Sequence, residues 1–149
     1  MKYLKKYKAL TIKKQFVLTS EDQKEIGRIV ETNKFFSSGY YIILNSRSYD
    51  IKNVGFLKND AELYYSKGVV YFTDLQKERI IKSGDVRMYH FKLDKTNQLF
   101  EKGELLIEIK KENNNLFHIQ ADDSVDDLLI LFFLHYSTQE FNYIGGDGD

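Results

Sequence analysis

The chain has 149 residues, 42% hydrophobic and 30% charged, and its 22 Lys and Arg balance 22 Asp and Glu. That length suits one domain with a single core. The apolar and aromatic content excludes a wholly disordered chain, and the zero net charge argues against a nucleic-acid binder held by excess positive charge.

Lys2, Lys5, Lys6, Lys8, Lys13 and Lys14 all precede the first acidic residue, Glu21, and are interleaved with Tyr3, Leu4, Tyr7, Leu10 and Ile12. Such a stretch attracts anionic lipid head groups or phosphates, at about 1 kcal/mol per Lys near a charged membrane. The alternatives are a basic edge strand that deters edge-to-edge association or pairing with the C-terminal region, where no Lys or Arg follows Lys111. No apolar segment of signal-peptide length interrupts these residues, so no secretory leader is expected.

Turn-forming clusters then recur, among them Ser20-Glu21-Asp22, Asn45-Ser46-Arg47-Ser48, Ser66-Lys67-Gly68, Asp94-Lys95-Thr96-Asn97 and Asn113-Asn114-Asn115. Many lie about 8–12 residues apart, the spacing of an all-β sandwich or barrel. Between clusters, β-branched and aromatic residues alternate with polar ones or form short apolar runs. This predicts strands over 14–19, 40–44, 69–72, 86–92, 105–109 and 116–119. In the fourth, Met88, His90 and Lys92 share one face and Tyr89 and Phe91 the other, as in a sheet with one buried and one wetter side.

The pattern changes at Ser124-Val125-Asp126-Asp127, followed by seven apolar residues from Leu128 to Leu134. Ser124 with Asp127 three positions later resembles a capping box, and Asp126 and Asp127 sit where the helix dipole favours negative charge. The predicted helix covers about 124–142. Apolar on every side, it has no solvent face and must be enclosed. Periodicity alone leaves a buried strand as the alternative. The run is too short to cross a bilayer, which needs roughly 20 residues. Residues 1–144 read as one domain and 145–149, Gly-Gly-Asp-Gly-Asp from position 145, as a flexible acidic tail.

Little in the sequence carries chemistry. The absence of Cys removes disulfides, thiolate zinc sites, iron–sulfur clusters and thiol nucleophiles at once, and it suits a reducing cytoplasm. His90, His118 and His135 are far apart and form no pair of metal-ligand spacing. The tail lacks the length and distal Glu of a calcium loop. Gly27 stands without phosphate-loop spacing, and no serine nucleophile elbow is present. No catalytic residue, metal site or cofactor is therefore expected, unless a site assembles only in the fold.

Three segments carry a family resemblance. Phe16–Asp22 followed by Glu25–Val30 resembles the strand, turn, strand opening of LURP-one-related chains. Ser38–Asn45 followed by Tyr49-Asp50-Ile51 resembles their next hairpin, and Asp127–Leu134 is similar to the start of their final helix. By these the chain resembles the tubby C-terminal-like superfamily, which includes the tubby proteins, phospholipid scramblases and LURP-one-related proteins. The resemblance implies a closed antiparallel β-barrel around a central hydrophobic helix. The chain departs from it in having Glu25-Ile26-Gly27 where an Asp-Gly turn is usual, and in lacking tubby's basic phosphoinositide-binding motif.

The expected function is a small, non-enzymatic, cytoplasmic binding or adaptor domain, peripheral to a membrane if its lysines bind anionic lipid. The alternatives are a protein-interaction module of antitoxin or immunity type using exposed aromatics, and an enzyme whose residues meet only in the fold. Partners are thus an anionic membrane surface or a protein, with no nucleic acid.

Overall fold

The computed structural model describes residues 4–34 and 37–141. Within them, β1 (Leu4–Ile12), β2 (Gln15–Ser20), β3 (Glu25–Lys34), β4 (Ser37–Leu44), β5 (Arg47–Val54), β6 (Asp60–Tyr65), β7 (Gly68–Asp74), β8 (Arg79–Lys82), β9 (Arg87–Leu93), β10 (Asn97–Glu101), β11 (Glu104–Asn113) and β12 (Leu116–Asp122) precede one helix, α1 (Asp127–Thr138). Every strand pairs antiparallel with its neighbours in chain order, and β1 closes on β12 from Leu4 opposite Asp122 to Leu10 opposite Leu116. The result is a closed twelve-stranded meander barrel. Closure leaves no unpaired strand edge.

Short turns make this meander. Asn45 and Ser46 both take positive φ, as do Lys102 and Gly103, the backbone a two-residue hairpin turn needs to follow the twist of its strands. Lys13 and Lys14 adopt the same conformation at φ 46° and 63° without Gly, Asn or Asp. That hairpin carries no turn signature in the sequence.

The helix begins later than its predicted cap. Asp126, in extended conformation, is the N-cap, its side chain accepting from the Leu128 amide at 3.2 Å. The Ser124 hydroxyl instead donates to Asp122. At the other end Gln139 is extended, and the Thr138 hydroxyl donates back to the Leu134 carbonyl at 2.6 Å. Residues 142 and 145–149 lie outside the described residues.

Leu128 to Ser137 are all buried, ten in succession, because the barrel surrounds the helix on every side. Inward positions of the wall, such as Leu18, Ile29, Ile42, Leu63, Leu99 and Ile107, meet it with 2% exposure or less. Tyr71 stacks on Phe132 with centroids 6.1 Å apart, and Phe91 meets Tyr136 edge-on at 5.6 Å. The Tyr136 hydroxyl donates to the Asn59 carbonyl at 3.0 Å, which satisfies a phenol buried in the core.

Gly27 sets the closest approach of wall and helix. A Cβ there would lie 2.8 Å from both the Ile43 carbonyl oxygen and Leu131 Cδ1. The β2–β3 register shifts at this point, pairing Leu18 with Gly27 and Thr19 with Glu25, so that Ile26 is bulged. The glycine that in sequence stands where an Asp-Gly turn is usual is therefore a strand residue carved out for α1. Gly27→Ala is expected to cost about 2 kcal/mol through overpacking against backbone that cannot rotate away. Urea melts would show a lowered midpoint with an unchanged slope.

Candidate anion-binding groove

Side chains alternate across a strand, and in β1 this divides the lysines. Lys5, Tyr7 and Ala9 face inward, whereas Lys6, Lys8 and Leu10 face outward. On the outer wall Lys8 stands between Thr19 of β2 and His118 of β12, and His118 is itself opposite Lys110 of β11. Lys6 stands opposite Gln120. Lys6, Lys8, Thr19, His118 and Gln120, with Ser20 at the end of β2 and Glu21 and Gln23 from the turn after it, line an open groove of about 500 Å³. It combines two ammonium groups with the Gln23 and Gln120 amides and a single carboxylate, Glu21, while the Thr19 and Ser20 hydroxyls donate to the Lys8 carbonyl and to Asp22. The His118 ring lies 2.6 Å from Glu112 through Nε2, an exposed pair that fixes the ring at the groove wall.

Lys5 does different work. Its ammonium donates to the Val125 carbonyl at 2.9 Å and lies 3.8 Å from the Asp127 carboxylate. Tyr7 donates to the same carboxylate at 2.8 Å, and burial, then that bond, push the phenol above its ordinary range. Together they tie β1 to the start of α1. Lys13 and Lys14 form the β1–β2 turn, about 17 Å along the strand from Lys8 at ~3.3 Å per residue. Lys2 lies outside the described residues. The five described lysines are thus not one patch: two share the groove, one is a structural tie, and two mark the far end of the barrel.

The loss of Lys5 should read as stability. Lys5→Gln is expected to cost about 1–2 kcal/mol, as for a hydrogen bond from a charged group, whereas Lys6→Gln and Lys8→Gln should leave the melting temperature within a degree or so, as exposed substitutions do. Thermal melts of the three variants check this.

The histidines do not converge. His90 is exposed on the outer face of β9, His118 belongs to the groove, and His135 is buried in α1 with 6% exposure. Among the described residues no group of three or more His, Asp or Glu could hold a metal ion. Of the acidic residues near the helix, Asp126 caps it, Asp127 binds Lys5 and Tyr7, and Asp122 accepts from Ser124. The contributions of Thr19, Ser20, His118 and Gln120 to the groove were absent from the sequence reading. The period of two in Lys6-Tyr7-Lys8-Ala9 already separated Lys5 from Lys6 and Lys8, but the partners on β12 come from the far end of the chain.

No helix among the described residues is long and apolar enough to cross a membrane. No family model matches the chain, and no curated protein matches it. Among solved structures, the X-ray structure of a protein from Arabidopsis thaliana aligns over 89% of this chain and 88% of that one, with a TM-score of 0.65 at 11% sequence identity. At that identity the likeness is one of fold, and the chain is similar to the plant protein in its barrel architecture.

Proposed function

We propose that the chain is a non-enzymatic binding domain of the tubby-like, LURP-one-related kind, which docks on anionic lipid head groups through the outer groove at Lys6 and Lys8. The observation that carries this reading is the pair of ammonium groups held on adjacent outward positions of β1 beside neutral hydrogen-bonding side chains. The enclosed helix, the likeness of fold to the plant protein and the resemblance in sequence support the family assignment. Its setting is the cytoplasmic face of a membrane, where the anionic lipids reside.

Two exposed lysines give weak, salt-dependent affinity. At about 1 kcal/mol each, reduced by screening over a Debye length near 8 Å, they produce retention on vesicles that salt reverses. Sedimentation with phosphatidylserine vesicles at low salt should retain the protein. High salt or neutral vesicles should release it, and the Lys6→Gln/Lys8→Gln double variant should lose most retention while melting normally. Wild-type protein that stays in the supernatant at low salt overturns the reading.

A second reading, a protein-interaction module, draws on Phe56, 70% exposed in the 3₁₀ turn at Phe56–Lys58 beside the exposed Leu57. An exposed aromatic at a loop tip is the kind of anchor that protein interfaces use. The Lys6→Gln/Lys8→Gln variant would keep such an interaction, and Phe56→Ser would lose it.

A further inference from the structure

The outward face of β1 does not end at the groove. Beyond Lys6 and Lys8 the same face presents Leu10 and Ile12, 37% and 51% exposed, before the chain turns through Lys13 and Lys14. Register widens the apolar part. Leu10 stands between Leu116 of β12 and Val17 of β2, and all three point away from the core, which takes Ala9, Phe117 and Leu18 from the same strands. Val17 is 7% exposed although it lies outside the core cluster, so side chains of the outer face cover it. Past Arg28 of β3, Ile43 of β4 extends the row with 38% exposure.

Two further features bear on what this face meets. One is charge. β1 and β2 contain no Asp or Glu, and Lys6, Lys8, Lys13 and Lys14 enter no ion pair among the described residues. On the flanking strands Glu25 is held by Arg28, and Glu112 lies against His118. Lysines thus bracket Leu10 and Ile12 at both ends of the strand. The other feature is the tip. Lys13 and Lys14 hold φ of 46° and 63°, where a two-residue turn ordinarily places Asn and Gly. Neighbours tie it on both sides, the Glu31 amide donating to the Lys14 carbonyl at 3.3 Å and the Thr11 amide to the Asn115 carbonyl at 2.9 Å. Left-handed backbone strains any residue with a Cβ, and such strain gathers at functional sites. Here it keeps two positive charges at the tip.

We propose that this face is a membrane-insertion surface, on which Leu10 and Ile12 enter the head-group boundary of an anionic bilayer while Lys6, Lys8, Lys13 and Lys14 meet the head groups around them. The inference rests on the lipid reading of the groove and adds an apolar contact to it. A bilayer offers negative charge at its surface and an apolar boundary that surface-bound side chains enter to a depth of about 5–10 Å. Exposed aliphatic side chains flanked by lysines match that layering, because a lysine stem lies along apolar surface while its ammonium stays in water. The residue types point the same way. Protein interfaces are depleted in Lys and enriched in Arg and aromatic side chains, whereas the outward face of β1 offers lysines and aliphatic residues alone.

The chain has no Trp, so Ile12→Trp supplies a single indole at the tip, and Met88→Trp, on the outer face of β9 and 44% exposed in the wild type, supplies the control. With phosphatidylserine vesicles at low salt, Ile12→Trp emission should shift to shorter wavelength and be quenched by brominated acyl chains, whereas Met88→Trp should keep its aqueous spectrum. Neither signal should appear with phosphatidylcholine vesicles, because the lysines bring the face to the surface. Ile12→Ser should bind the anionic vesicles about tenfold more weakly, as expected when one aliphatic side chain leaves an apolar contact, and should melt like the wild type. Retention of the wild type with an Ile12→Trp spectrum that stays aqueous, or equal binding by Ile12→Ser, overturns insertion and leaves the groove reading in place. Absence of all retention overturns both. A dimer of the free protein that Ile12→Ser makes monomeric in analytical ultracentrifugation assigns the face to a second copy of the chain and likewise overturns the proposal.

Discussion

Replacing Leu131 with Asp abolishes the folded state. Leu131 has no exposed surface and lies midway along α1, in van der Waals contact range of the wall at Gly27. Truncation to Ala at such a site already costs about 2–5 kcal/mol, against a total stability of about 5–15 kcal/mol for an ordinary domain. Asp adds a carboxylate at a position with no solvent-exposed surface, a cost of several kcal/mol more. Circular dichroism should show the loss of native strand signal at 25 °C. A Leu131→Ala variant should stay folded with a lower urea midpoint, which separates a filled core from a tolerant one. A native-like Leu131→Asp protein would mean that α1 does not pack at the centre of the barrel.

Stability should also fall as the solution is acidified below pH 6.5, with about 3 kcal/mol lost by pH 4, and His135 is the cause. Its imidazole is buried against the Tyr40 ring, 4.6 Å between centroids, and Nε2 has no hydrogen-bond partner among the described residues. Burial alone pushes its pKa down to about 4 from 6.5, with no charge acting on it. Above pH 6.5 both folded and unfolded chains hold a neutral ring. Between 6.5 and 4 the unfolded chain takes up a proton that the folded chain refuses, so the equilibrium shifts towards unfolding as pH falls. Below about 4 both are charged and this contribution levels off. The loss follows from the shift at 1.36 kcal/mol per unit. Urea melts from pH 7 to 4 of wild type and His135→Gln should diverge by this slope. The lowered carboxyl pKa values of Asp22, Glu25 and Glu101 are common to both proteins and cancel in the difference. Parallel curves would mean that His135 is charged, or solvated, in the folded state.

The enclosed helix was legible because seven consecutive apolar residues, Leu128 to Leu134, cannot face water in any direction around a helix axis. Strands such as β9 were legible for a related reason, since Tyr89 and Phe91 alternate with Met88, His90 and Lys92 and the structure buries the first pair only. The shorter strands were not. Four-residue β8, Arg79-Ile80-Ile81-Lys82, has charges at both ends, and its single fully buried residue, Ile80, gives too little alternation to measure. Asn97, read as part of a turn, begins β10 because Leu93 and Ile109 on both sides supply its ladder partners, a preference that belongs to the sheet and not to the residue. The sites fail for the same reason at longer range. Lys8 meets His118, and Leu10 meets Val17 and Leu116, only through strand register. Charge order along the chain showed the basic and acidic ends, and their contact at Lys5 and Asp127 is what the pairing alternative described.

The order of the elements governs how the protein comes into being on the ribosome. β1 emerges first and can pair at once with β2, but its other neighbour, β12, is made after ten more strands, and the helix that all of them surround follows still later. Until then each hairpin presents an apolar inner face with nothing to cover it, and isolated hairpins are marginal in water. Native structure is accordingly gained in one late step, when Leu128–Tyr136 have cleared the exit tunnel, rather than accumulated strand by strand. A nascent chain arrested at Asp122 holds the whole wall and none of its filling, and it is the species of this protein with the greatest need of a chaperone.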